Sequence, residues 1–161
     1  MIRAYIAIGS NLDDPVAKAN SAITALKQTP DIEVVAVSSL YSSTPMGPQN
    51  QPDYINAVVA IDTSLSPLNL LDKTQAIELT HGRVRKDERW GPRTLDLDII
   101  LYGDLVHHCE RLTVPHYGMK VREFVLYPLA EITPDLILPD NTALQQLLTQ
   151  VDRNGLATWQ S

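Results

Sequence analysis

Asp96 and Asp98 lie two residues apart in Thr94-Leu95-Asp96-Leu97-Asp98-Ile99-Ile100-Leu101-Tyr102, a segment in which apolar and polar residues alternate. A period of two belongs to a strand with one buried face. It predicts Leu95, Leu97, Ile99 and Leu101 on one side, and Thr94, Asp96, Asp98 and Ile100 on the other. Both carboxylates then leave the same face, where like charges repel unless a cation lies between them. Mg²⁺ suits such a pair: it is hard, often takes one or two protein carboxylates, and fills its shell with phosphate oxygens and water. Just upstream, Arg89 and Arg93 flank a Gly91-Pro92 turn. Cations beside a metal-binding pair point to a polyanion such as a nucleoside triphosphate. Asp-x-Asp also occurs on plain solvated strands; the arginines and Trp90 set this one apart.

The charge map agrees. The chain holds 13 Lys and Arg against 19 Asp and Glu, a net charge of −6, which argues against a general nucleic-acid binder. Yet eight of the 13 cations fall within residues 83–122, alongside six acids that include Asp96 and Asp98. Arg83, Arg85, Lys86, Arg89 and Arg93 make one basic loop, which with Asp87 and Glu88 inside it reads either as a solvated surface loop or as a closing lid over phosphates. His116 stands near Tyr117, Lys120 and Arg122, placed to meet a phosphate oxygen. His107-His108-Cys109 invites a zinc reading, which we reject: neighbouring strand residues point to opposite faces, and there is no second Cys. The chain has no G-x-x-x-x-G-K-[ST], G-x-G-x-x-G or G-x-S-x-G pattern, so any phosphate chemistry uses a different construction.

Several elements must position these residues. Tyr5 to Ile8 reads as a strand, and Asp13 or Asp14 with Pro15 starts a helix over Pro15–Gln28 with Val16, Ala19, Ile23 and Leu26 as its apolar stripe. Ile32 to Leu40 is β-branched and reads as a strand. Ser42 to Asp53 holds three prolines and reads as a functional loop. Tyr54 to Thr63 is the next strand, with Ile55, Ala57, Val59 and Ile61 on one face and Tyr54 and Asn56 on the other. Ser66-Pro67 starts a second helix with Leu68, Leu71, Gln75 and Leu79 in one stripe, ended by Gly82. After the Asp-x-Asp strand, Lys120 to Tyr127 reads as a short helix stopped by Pro128. Leu144, Leu147, Leu148 and Val151 mark a last helix. Strands and helices do not strictly alternate, which predicts an α+β, ferredoxin-like fold with a mostly antiparallel sheet and helices packed on it.

The 161 residues predict one domain. A single Cys109 excludes an internal disulfide framework and fits a reducing cytoplasm. Met1 to Tyr5 leads into a strand, and no apolar run reaches membrane-spanning length, so we expect no cleavable signal peptide and a cytoplasmic monomer without membrane or nucleic-acid partners. The Ser42–Asn56 stretch supplies amides and hydroxyls for the edge of a flat heterocycle. Tyr54, Trp90 and Phe124 offer rings for its faces; from spacing alone the same residues also read as core aromatics, with Asn56 tying down a loop.

The chain closely resembles the bacterial hydroxymethyl-dihydropterin pyrophosphokinases of folate biosynthesis. The diagnostic stretch is Arg89-Trp90-Gly91-Pro92-Arg93-Thr94-Leu95-Asp96-Leu97-Asp98-Ile99-Ile100. Three others agree in order: Ala4 to Leu12, Ser38 to Val58, and Val114-Pro115-His116 with Arg122 to Leu126. The likeness runs from about Ala4 to Pro139. It implies a ferredoxin-like fold and transfer of pyrophosphate from ATP to the pterin hydroxymethyl group. It also implies that Asp96 and Asp98 hold two Mg²⁺ ions, with Arg83 and Arg93 as further catalytic groups. The pterin site it implies comprises Ser43, Thr44, Pro45, Met46, Tyr54, Asn56, Trp90, Asp96 and Phe124. Tyr54 and Phe124 would sandwich the ring, and Asn56 would read its edge. The ATP site it implies comprises Leu71, Gln75, Arg83, Arg85, Lys86, Trp90, Arg93, Ile99, Arg111, Thr113, His116, Tyr117 and Arg122. Two rivals differ in testable ways. A nucleotidyltransferase also uses Asp-x-Asp, but its Gly-Ser pair lies shortly before the acids, whereas Gly9-Ser10 is far upstream. A non-catalytic nucleotide-binding regulator would be favoured by loss of either carboxylate, and both are present.

Overall fold

The computed structural model describes residues 1–10, 14–43, 54–82, 95–153 and 155–159. Strand β1 (Ile2–Ser10) is followed by helix α1 (Pro15–Gln28), then β2 (Ile32–Val37), β3 (Tyr41–Ser43) and β4 (Tyr54–Thr63). Helix α2 (Pro67–Gly82) leads to β5 (Asp96–Tyr102) and the small strands β6 (His107–His108) and β7 (Thr113–Val114). A 3₁₀ turn (Met119–Val121), α3 (Glu123–Ile132), α4 (Leu144–Gln150) and β8 (Ala157–Thr158) complete the order.

The main sheet runs β5-β1-β4-β3-β8, with β2 also paired to β4, and its pairings are antiparallel. Each β-α-β passage, β1-α1-β2 and β4-α2-β5, skips over one intervening strand. That is the ferredoxin-like arrangement the element order predicts. Both faces of the sheet are covered. Ile6, Ile8, Ile61, Leu97 and Ile99 pack with Leu26 of α1 and Leu70 of α2. Tyr5, Val58, Ala60 and Ile100 pack with Leu126 and Leu129 of α3 and Leu144 of α4. The β4 alternation therefore reads correctly, but its second face is also core.

Five boundaries or faces differ from the sequence reading. The α1 limits agree, and Asp14 is the cap, accepting the Ala17 N–H at 3.3 Å. The β2 strand stops at Val37, because Ser38 Oγ accepts the Val58 N–H at 2.9 Å and replaces a ladder carbonyl. Chain pairing then resumes as β3, so Ser42 and Ser43 are strand rather than loop. On α2 the buried side is Leu70, Leu71, Thr74 and Ile77, while Leu68, Gln75 and Leu79 are exposed. Thr74 tolerates that burial because its hydroxyl donates to Leu71 O at 2.9 Å. On β5 the register with β1 shifts at Ile100, so Leu101 pairs with Tyr5 and joins the α3 side instead of the side of Leu97 and Ile99. Pro128 lies inside α3, buried, rather than ending it. The ring forfeits one helical N–H, a cost offset by apolar packing on a short helix.

Leu126 is fully buried between α3 and the sheet. Leu126→Ala should lower unfolding stability by about 2–5 kcal/mol in a urea titration; a change under about 0.5 kcal/mol would contradict this core assignment.

Candidate active site

The antiparallel register lays out the floor of the site. Gly9 of β1 pairs with Asp96 of β5 on one side and Asn56 of β4 on the other. One pleat along, Ala7 pairs with Asp98 and with Val58. Partners directly across a ladder share a face, so both carboxylates, Gly9, Ala7 and Asn56 look the same way, toward α3. Two strand spacings separate Asp96 from Asn56, about 10 Å. Between them the smallest side chains in the sequence leave the floor open. A Cβ built on Gly9 would meet only Asn56 Oδ1, at 3.7 Å, which is ordinary contact. Protein packing does not demand glycine there; a Cβ would project into the open space above the floor.

That space is a cavity of about 250 Å³ lined by Ser43, Tyr54 and Asn56, by Asp96 and Asp98, and by His116, Arg122, Phe124 and Val125. Asn56 Nδ2 donates to Ser43 Oγ at 2.6 Å, a buried pair. That bond fixes the amide so that its oxygen lies on the side of Gly9. Phe124 stands in the first turn of α3, and Arg122 is the residue before it, with extended backbone. The Arg122 guanidinium lies 5.6 Å from the Tyr117 ring centre and 5.9 Å from that of Phe124. Tyr117 stacks on His116 at 4.6 Å. Gly118 allows this close layering, since a Cβ there would sit 2.7 Å from Arg122 Nε.

His116 is tied to the strand below it, its N–H donating to Ile100 O at 2.9 Å. Its Nδ1 accepts the Gly118 N–H at 3.1 Å. A nitrogen that accepts carries no proton, so the neutral ring is the Nε2–H tautomer and presents a donor. Burial lowers the His116 pKa below 6.5; Asp98 opposes this and Arg122 adds to it.

Eight residues named from the sequence thus line one cavity: Ser43, Tyr54, Asn56, Asp96, Asp98, His116, Arg122 and Phe124. Others do not line it. Gln75 and Arg111 are hydrogen-bonded at 3.2 Å, and Arg111 pairs with Asp72 at 2.5 Å. Thr113 bonds His108, and Tyr117 is 80% exposed. Leu71 and Ile99 belong to the core beside α1 and α2. Gln75 and Thr113 sit on α2 and β7, which both pack against β5. Thr44, Pro45, Met46, Arg83, Arg85, Lys86, Trp90 and Arg93 lie outside the described residues. Sequence reading overlooked Gly9, Ala7 and Gly118, whose signal is small size opposite a functional strand. It also overlooked Glu78, whose carboxylate accepts the Leu97 N–H at 2.8 Å, between the two aspartates.

The donor set fits Mg²⁺. Two carboxylates share one face over an open floor, and among the described residues no cluster of three or more His, Cys, Asp or Glu could hold a metal. Among the described residues, Asp96 and Asp98 would thus offer two hard oxygen donors, a set that Mg²⁺ accepts when phosphate and water complete its shell. Among the described residues no helix is long and apolar enough to cross a membrane.

The family model for 7,8-dihydro-6-hydroxymethylpterin-pyrophosphokinase matches residues 5–134. A Pseudomonas aeruginosa protein named 2-amino-4-hydroxy-6-hydroxymethyldihydropteridine pyrophosphokinase is 53% identical over 154 residues, covering 96% of this chain and 94% of that one. A Haemophilus influenzae protein of the same name is 55% identical over 150 residues, with 93% of each covered. The fold is also that of a solved Plasmodium falciparum HPPK-DHPS, at TM-score 0.71 and 12% identity. That match covers 93% of this chain and 43% of the longer one.

Because the folded His116 binds its proton less readily than the unfolded chain, the unfolded state holds more protons just below pH 6.5. Stability from this group is therefore present above pH 6.5 and declines as pH falls toward the folded pKa. In the metal-free protein, ¹⁵N NMR should show the Nε2–H tautomer at neutral pH titrating below 6.5, and His116→Gln should lack the corresponding slope. An Nδ1–H ring, or titration above 6.5, would contradict the geometry.

Proposed function

We propose, because the chain belongs to the 7,8-dihydro-6-hydroxymethylpterin-pyrophosphokinase family, that it transfers pyrophosphate from ATP to the hydroxymethyl group of 6-hydroxymethyl-7,8-dihydropterin in folate biosynthesis. AMP and the pterin diphosphate are the products. The observation that carries the reading is the row Asp96–Gly9–Asn56, which joins an anionic edge and an amide edge across a floor without side chains.

On this reading Tyr54 and Phe124 hold the two faces of the pterin, and Asn56, fixed by Ser43, meets its polar edge. Thr44, Pro45, Met46 and Trp90 complete that side. Asp96 and Asp98 hold two Mg²⁺ ions, which when bound neutralise the triphosphate and polarise its oxygens. Arg83, Arg93 and Arg122, with Arg85 and Lys86, add positive charge around the phosphates. His116 donates from Nε2 to a phosphate oxygen. Leu71, Gln75, Ile99, Arg111, Thr113 and Tyr117 place the nucleoside on the β5 side, away from the pterin.

The substrate hydroxyl oxygen then attacks the β-phosphorus, and the bond to the α–β bridging oxygen breaks. In-line geometry requires the adenosine to lie opposite the pterin, with His116 and Arg122, which line the shared cavity, between the two at the phosphates. Alignment and charge neutralisation supply the rate. No side chain is assigned as general base.

Asp96→Ala and Asp98→Ala should each lower Mg²⁺-dependent turnover by about a hundredfold or more. The thermal midpoint should stay near that of the unaltered protein, because Asp98 is exposed and Asp96 half-buried. Wild-type turnover in either variant would remove the metal assignment.

A further inference from the structure

Glu131 lies outside the cavity, in the last turn of α3, yet three donors converge on it. Its Oε2 accepts the Ser39 N–H at 2.9 Å and the Ser39 hydroxyl at 2.8 Å. Its Oε1 accepts the Tyr41 hydroxyl at 2.5 Å. The Ser39 bonds fall in the gap between β2 and β3 and the Tyr41 bond at the first residue of β3, so the carboxylate substitutes for a strand partner at Ser39 and pins the start of β3. Tyr41 is buried, and its hydroxyl is pushed up to about 12, first by burial and then by Glu131.

The consequence is geometric. Tyr41 pairs with Asn56, and Ser43 pairs with Tyr54, so the grip on Ser39 and Tyr41 sets one wall of the cavity. The other wall is Phe124, seven residues earlier in the same helix, about 10 Å along its axis. One rigid helix thus carries a pterin wall at its first turn and the anchor of the opposite wall at its last. β3 is three residues long, and its outer partner β8 pairs only with Tyr41 and Ser42. Ladder pairing alone gives Ser43 little support on that side.

We propose that Glu131 is a positioning residue for pterin binding, holding Ser43 and Asn56 at a fixed distance from Phe124 by tying Ser39 and Tyr41 to the end of α3. This rests on the reading that the cavity takes the pterin. Glu131 is itself exposed, so its removal acts on local geometry more than on the fold.

Steady-state kinetics with each substrate varied in turn, together with thermal midpoints, test the proposal. Glu131→Ala should raise the KM for the pterin alcohol about tenfold while the KM for ATP stays within about twofold. Tyr41→Phe, which keeps the buried ring and deletes one bond, should give a smaller rise in the same constant. Glu131→Gln can still accept from Ser39 and donate to the Tyr41 oxygen, so it should recover most of the pterin affinity. These two mild variants carry the test where the alanine variant does not fold. Asn56→Ala is the reference for the cavity itself. A normal pterin KM in Glu131→Ala and Tyr41→Phe beside a raised one in Asn56→Ala overturns the proposal and leaves the cavity assignment standing. A normal KM in all of them overturns both. Equal rises in both KM values with a lowered thermal midpoint would show a general structural role and also overturn it.

Discussion

Two carboxylates on one strand face repel, and the rest of the site is arranged around that repulsion. Asp96 and Asp98 hold their places because β5 is locked in register against β1, pairing with Gly9 and Ala7. Leu97 and Ile99, pointing the other way, are buried under α1 and α2. Those apolar anchors set the strand's orientation; slipping by one residue would put two carboxylates in the core, at a cost far above any gain. The same burial that stabilises the fold therefore keeps two negative charges together where a cation can join them.

The face that carries the charges is also the face covered by α3. This helix fills the half of the sheet nearest Tyr5, Val58 and Ile100, and leaves the end over Gly9 open as the cavity. The β5 register shift at Ile100 marks the change. Below it, Leu101 turns toward α3 and closes the core; above it, Asp98 and Asp96 face the space. His116 is hung from the same point by its bond to Ile100 O. Core and site thus share one surface of the sheet, divided by a single irregularity.

Much of this was legible in the sequence, for physical reasons that also explain the failures. Alternation around Asp96 and Asp98 placed the pair, and proline at the starts of α1 and α2 fixed both helix boundaries. Alternation cannot foresee a bulge, because the shift depends on β1 as much as on β5; hence Leu101 fell on the wrong face. The α2 stripe was misjudged because Thr74 is polar by composition yet satisfies its hydroxyl within the helix. Local propensity makes Pro128 a terminator, because the packing that offsets its missing N–H comes from other elements. β8 has too short a run to signal a strand, and its partner β3 lies more than a hundred residues away. Ala7 lies within the strand that the sequence predicts and Gly9 just past its end, since nothing local distinguishes a small side chain that ends a strand from one that makes room. The wider site rests on family resemblance, and part of it, including Arg83 and Arg93, falls outside the described residues.

The geometry aims a pterin hydroxyl at the β-phosphorus of ATP. ATP labelled at the γ-phosphate, incubated with Mg²⁺ and the reduced pterin alcohol, distinguishes this from attack at the α-phosphorus. Label is expected in the pterin product, with unlabelled AMP as co-product. Label released as free pyrophosphate, with an adenylylated pterin, would show attack at the α-phosphorus and contradict it.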